Sequence, residues 1–297
     1  MTTEKNYSTF EIWFLASRPK TLFAAFVPVI VGASLAYAEG KINFIASLVA
    51  LLCSILFQVG ANFTNDLYDF LKGADTEKRV GPLRVLNAGL VSPGQMKAVI
   101  FFNFGLAFLL GLYLVYIGGN FILIVGLLSI IASLAYTAGP YPLAYHGLGE
   151  IFVFLFFGFV GTVGTFFVNT KEMSVISFIA AIPVGALITN ILVVNNYRDI
   201  EQDKAAGKNT LAVKFGKSFS RYEYLILLFS SFLVPLLMFI NYNFRIWIFL
   251  PYITLPLAYK LMLSIFQKNG SQLNATLELT AKFSALYGFL LSLGLIL

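Results

Sequence analysis

A succession of long apolar runs, none with a charge at its centre, constrains this chain more than any other feature. Nine stretches are apolar enough to cross a bilayer, which takes roughly 20 residues as a helix. They lie near 21–38, 44–63, 98–117, 121–138, 148–168, 173–194, 224–241, 246–266 and 279–297. None alternates like a barrel strand, and lipid admits only helices or closed barrels. The expected fold is therefore all-α: a polytopic membrane protein with nine transmembrane helices in one bundle, a single domain over residues 1–297. Only 11 % of residues are charged, against about a quarter in soluble proteins. The first run follows "SRPK" and precedes many others, so it reads as a span and not as a cleaved signal peptide.

Basic residues set the expected orientation, because Lys and Arg favour the cytoplasmic side. With the N-terminus inside, the inner segments hold 17 of the 20 basic residues, and the outer ones hold only Lys41, Lys171 and Arg245. The N-terminus is expected in the cytoplasm and the C-terminus outside. Two inner connections, roughly 64–97 and 195–223, are far longer than the rest.

All five aspartates of the chain, Asp66, Asp69, Asp75, Asp199 and Asp203, lie in those two connections. "NDLYDFLKGADT" follows the second span and "NNYRDIEQDKAAGKNT" follows the sixth, and Asn65 opens the first cluster. Four spans separate them, so both emerge on the same face. Loops are commonly polar, but the short loops here hold no aspartate. Acids at membrane helix ends mark functional sites. On a continuing helix Asn62, Asp66 and Asp69 form one stripe, and Asn195, Asp199 and Asp203 form another.

Carboxylates gathered in this way repel unless something neutralises them. Hard divalent cations such as magnesium prefer oxygen ligands and keep waters and a phosphate. Arg79, Arg84, Lys72, Arg198, Lys204 and Lys208 are interspersed and suit phosphate oxygens. The residues thus point to a magnesium-bridged diphosphate at the membrane surface, held by Asp66, Asp69, Asp199 and Asp203. An apolar bundle beneath it favours a lipid tail: a polyprenyl diphosphate, a lipid-linked sugar or a nucleotide-activated lipid. One histidine, His146, builds no metal site alone, and Cys53 reads as a small apolar packing residue.

Paired Asp-rich loops after the second and sixth of nine helices resemble the UbiA superfamily of intramembrane aromatic prenyltransferases. "NDLYD" is similar to its first motif and "DIEQD" to its second. More narrowly, "WFLASRPKTL", "NDLYDFLKGADTEKRVGPLR", "YTAGPYPLAYHGLGE" and "NNYRDIEQDKAAGKNTLAVKFG" resemble the dihydroxynaphthoate prenyltransferase branch, which acts in menaquinone synthesis. The resemblance covers essentially the whole chain. It implies Mg2+, two ions bridging the diphosphate, with polyprenyl diphosphate and dihydroxynaphthoate as substrates. An allylic cation forms and an electron-rich ring attacks it. The expected setting is the bilayer of the cell inner membrane, and nucleic acid is not an expected partner.

The chain departs from the superfamily pattern twice. Gly73 stands four residues after Asp69, where a third carboxylate is common, and Pro140 stands where many members place a lysine after Tyr136. Diphosphate charge then falls to Arg18, Lys20, Lys72, Arg79, Arg84, Arg198 or Lys208. Arg18 suits an anion best, because a guanidinium binds carboxylate or phosphate bidentately. Tyr136, expected to be catalytic, and Tyr141 offer ring faces to a cation, although interfacial tyrosines are ordinary in membrane proteins. Glu150 either holds a helix end or meets a substrate hydroxyl. Gly158, Gly161 and Gly164 suggest close helix contact or a path for the tail. The competing readings are another superfamily member acting on hydroxybenzoate or homogentisate, and a secondary transporter. Transporters bind near the midplane, whereas these acids lie at helix ends.

Overall fold

The structure is a computed structural model and describes residues 7–74, 81 and 83–297, the side chain of Lys20 excepted. Asp75, Lys78 and Arg79 lie outside the described residues. Every regular element among those described is a helix. A short α1 (Thr9–Ser17) is opened by Ser8 and Glu11, each side chain accepting the other's backbone N–H. It closes on Arg18, whose φ of 53° is left-handed, a conformation uncommon outside glycine. After the Pro19–Thr21 turn come α2 (Phe23–Ala38) and α3 (Phe44–Leu71).

The expected third and fourth spans fall on one continuous stretch, α4 (Pro93–Ala135). A straight helix of 43 residues would run roughly 65 Å, about twice the hydrocarbon thickness. Gly119 breaks it, with φ 70° and ψ −164°. Next come α5 (Gly149–Thr170), widened by a π-helical turn over Phe154–Val160, then α6 (Val175–Arg198) and the short α7 (Ile200–Ala205). The chain ends with α8 (Leu211–Tyr242), α9 (Ile246–Gln267) and α10 (Leu273–Ile296). Seven helical stretches among the described residues are long and apolar enough to span, and α2 is a shorter apolar helix.

The centre of the bundle is α6. Of its apolar window 61 % is buried within the protein, against 17 % for α4, which leaves most of α4 for lipid. Around α6 pack α2, α8 and α10, through Val27, Val31, Leu187, Tyr224, Phe283 and Tyr287. The glycines of α5 divide their work. A Cβ on Gly158 would come within 2.9 Å of the Gly185 Cα on α6, so only glycine lets these backbones touch. Gly161 meets Pro28 of α2, whereas Gly164 has nothing near it and opens onto an internal cavity.

Both aspartate-bearing connections begin as helix. The second apolar run ends near residue 63, yet α3 continues to Leu71, and α6 continues to Arg198. Hydropathy marks where lipid contact ends. It does not mark where a helix ends when its polar face is buried in protein.

Candidate active site

The extension of α3 carries Asn62, Asn65, Asp66 and Asp69. Asp66 and Asp69 are each only 2 % exposed. Carboxylates buried so deeply need donors, and the chain supplies them. Lys208 Nζ stands 2.9 Å from Asp69 Oδ1, and Arg84 stands 3.3 Å from Asp69 Oδ2 and 3.9 Å from Asp66 Oδ1. The Tyr145 hydroxyl donates to Asp69 Oδ1 at 2.9 Å. Lys72 and Lys208 both lie over the Tyr145 ring, at 4.3 and 4.9 Å from its centroid. Asn62 donates to the Ser17 carbonyl, tying α1 to α3, and Asn65 accepts from the Thr137 hydroxyl.

The end of α6 is built around one guanidinium. Arg198 donates to both oxygens of Asp199, at 2.7 and 2.6 Å, to Asn195 Oδ1 at 2.9 Å and to Asn274 Oδ1 of α10 at 2.8 Å. Asp203 follows one turn later, half-buried, its backbone N–H bonded to the Asp199 carbonyl. Lys208 lies in the segment after Asp203 and bridges to Asp69, so the two clusters meet at one end of the bundle.

Between them opens a cavity of about 970 Å³. Its mouth is lined by Arg18, Asn62, Asn65, Asp69, Arg84, Asn195, Arg198, Asp199, Asp203 and Lys208, with Tyr136 alongside. Below the mouth the wall is mostly apolar, with Leu112, Leu123, Phe156, Phe157 and Gly164 beside a few polar side chains such as Gln58 and Ser133. Along α3 the lining runs from Asp69 back to Ala50, roughly 28 Å at about 1.5 Å per residue.

Several sequence expectations change here. Asp66 does not line the cavity and faces Arg84 behind Asp69. Tyr141 is 57 % exposed, stacked on His146 with ring centroids 3.6 Å apart, and is absent from the cavity wall. Lys72 is also off the wall and donates to the Thr137 carbonyl at 2.8 Å. Burial lowers its pKa, which Asp69 opposes and Lys208 reinforces. Among the described residues no three acidic, His or Cys side chains converge on one point. The four aspartates do not all face one another; Asp66, Asp69 and Asp199 have turned to basic side chains, which lowers their mutual repulsion. Among the described residues the mouth nonetheless presents carboxylate, amide and hydroxyl oxygens, with no thiol or imidazole, a donor set suited to a hard divalent cation.

Tyr145 and Asn274 were invisible to sequence reading. Each meets its partner across 76 residues, and neither stands in a charged or periodic pattern. For Tyr145 the only signal was its place in "PYPLAYHG".

Fold and site together define an integral membrane helical bundle with a charged cavity mouth over an apolar shaft. The model of the "UbiA prenyltransferase family" matches residues 25–286, and the chain belongs to that family. It is 35 % identical over 99 % of its length to a protein named 1,4-dihydroxy-2-naphthoate octaprenyltransferase from Escherichia coli (strain K12), covering 98 % of it. A protein of the same name from Haemophilus influenzae is 35 % identical, over 97 % of this chain and 96 % of its own. In fold it is similar to a UbiA homolog from Archaeoglobus fulgidus bound to DMAPP and Mg2+. That match has a TM-score of 0.65 and 19 % identity over 94 % of this chain and 99 % of that one.

Proposed function

We propose that the chain transfers a polyprenyl group from polyprenyl diphosphate to 1,4-dihydroxy-2-naphthoate, with loss of the ring carboxylate, giving demethylmenaquinol in menaquinone biosynthesis. The observation that carries this reading is one cavity, running about 28 Å along α3 in all, that joins a mouth of cations and oxygen donors to a mostly apolar shaft. The choice of acceptor is supported by the names of the full-length relatives.

Asp69, Asp199 and Asp203 would hold magnesium at the mouth, with Asn62, Asn65 and Asn195 adding neutral oxygens, and Asp66 would hold Arg84 behind them. Bound there, magnesium supplies positive charge to the diphosphate and makes it a better leaving group. Arg18, Arg84 and Lys208 meet the diphosphate oxygens from the protein side. Arg198 keeps Asp199 in place and has one N–H left for an anion, since four of its five donors are used. The shaft takes the prenyl tail and excludes water, which protects an allylic cation from hydrolysis. Tyr136 lines the cavity and would offer its ring face to that cation. Attack by the ring carbon that bears the carboxylate forms the new C–C bond. The C–CO2 bond then breaks, and its electron pair restores the aromatic ring.

Purified protein given carboxyl-labelled dihydroxynaphthoate and a polyprenyl diphosphate is expected to release labelled carbon dioxide. Excess chelator stops the reaction and added magnesium restores it. Prenylation of hydroxybenzoate with the label retained would overturn the acceptor, and full activity in excess chelator would overturn the metal.

The basic-residue asymmetry supports an orientation with the N-terminus and both aspartate clusters cytoplasmic. A cysteine appended after Leu297 is then labelled by an impermeant reagent from outside. Labelling only from the cytoplasmic side would refute this orientation.

A further inference from the structure

Glu150, Asn196 and Tyr136 form a polar group on the apolar side of the mouth. Glu150, at the start of α5, is 5 % exposed and does not line the cavity. Its Oε1 accepts from Asn196 Nδ2 at 2.7 Å, and its Oε2 meets no partner among the described residues. Asn196 does line the cavity, as does Tyr136. The Tyr136 hydroxyl closes the group over Gly149, where a Cβ would stand 3.0 Å from it.

The orientation of the Asn196 amide follows from chemistry. Glu150 Oε1 accepts, as an ionised oxygen or as the carbonyl oxygen of an acid that carries its proton on Oε2, so the amide turns its NH2 to Glu150 and its carbonyl oxygen the other way. That oxygen has no protein partner among the described residues, on a side chain that forms cavity wall. Asn196 precedes Asp199 by three residues, which places it on the same face of α6, about 4.5 Å further into the bundle. A ring seated there lies just beneath the diphosphate, where the first prenyl carbon must be met at about 3–3.5 Å.

We propose that Asn196 is a specificity-determining residue for the aromatic acceptor. Its side-chain oxygen accepts a hydrogen bond from a ring hydroxyl, and Glu150 is the positioning residue that holds the amide in that orientation. This inference rests on the acceptor reading above. The bond does two things. It selects rings that carry a hydroxyl donor, because an analogue without one leaves a buried oxygen unpaired. It also leaves more electron density on the ring oxygen, and so on the carbon that attacks.

The test compares dihydroxynaphthoate with its two mono-O-methyl ethers, in wild type and in variants. Wild type is expected to use one ether roughly tenfold to a hundredfold less well in kcat/KM than the diol. In Asn196→Leu the diol falls by a similar factor and the preference over that ether collapses, while KM for the prenyl diphosphate is unchanged. General damage to the fold would move both substrates. Glu150→Leu behaves as Asn196→Leu does, and the double variant is no worse than either alone. Glu150→Gln still offers an accepting oxygen to Asn196 and keeps most of the preference. Should Asn196→Leu fail to accumulate, the two Glu150 variants carry the same comparison. No diol preference in wild type, or an undiminished preference in Asn196→Leu or Glu150→Leu, overturns the proposal; the latter outcome assigns the ether's handicap to methyl bulk. Failure of the acceptor reading is distinct. Wild type would then turn over a different hydroxyaryl acid, and the methyl ether of that acid tests Asn196 in the same way.

Discussion

Asp69→Asn is expected to lower turnover at least about a hundredfold while leaving the protein inserted and folded. Asp69 is the point where the two halves of the mouth meet, since its carboxylate holds Lys208, Arg84 and the Tyr145 hydroxyl at once. Asparagine keeps the size and replaces one accepting oxygen with a donor. That NH2 must then face Lys208 or Arg84, donor against donor. The variant therefore loses a negative charge for the metal and releases the cations that meet the diphosphate. Asp66→Asn is a useful contrast. Asp66 stands behind, 3.9 Å from Arg84 and off the cavity wall, so its loss acts through Arg84 and costs less. Steady-state turnover with a manganese titration followed by paramagnetic resonance separates the two. An Asp69→Asn enzyme with near-normal turnover and metal affinity would remove Asp69 from the site.

What the chain reveals in advance depends on how far each feature reaches along it. The spans are legible because each is a local run of apolar residues, and the two aspartate stripes because a helix repeats every 3.6 residues. Asn62, Asp66 and Asp69 could be placed on one helical face from spacing alone, and α3 does carry all three, although only Asn62 and Asp69 reach the cavity wall. The continuation of α3 to Leu71 was less visible. Hydropathy counts Asn62 and Asp66 as leaving the membrane, whereas Asn62 bonds to the end of α1, Asp66 faces Arg84 of the connection that follows α3, and they are 4 % and 2 % exposed. Nor did the sequence separate Tyr141 from Tyr145. Both stand in one short polar loop, and only the folded path sends the first out to His146 and the second in to Asp69. The split between Arg84 and Lys72 has the same origin: one lines the mouth and the other orders the Tyr145 loop.

Arg198, expected to bind the substrate, makes four hydrogen bonds to protein groups at the mouth. Its side chain is 2 % exposed, and its guanidinium joins α6, Asp199 and the start of α10. Arg198→Lys keeps the charge and removes the fork. An ammonium is a point donor and does not serve both Asp199 oxygens together with Asn195 and Asn274. Where it is an oxygen of the buried Asp199 that is left unpaired, the cost is on the order of 1–3 kcal/mol. The Asp199 carboxylate also loses its fixed direction. Turnover is expected to fall roughly tenfold to a hundredfold, since a small misplacement of a group near the reacting centre carries that penalty. The form of the loss discriminates between the two roles. If Arg198 mainly binds the diphosphate or the acceptor, lysine supplies most of the charge, and the defect appears as a raised KM with kcat retained. If it mainly holds Asp199, kcat falls and the magnesium requirement rises while KM for the prenyl diphosphate changes little. The four protein hydrogen bonds on this one guanidinium favour the second outcome, and a pure KM effect would refute it.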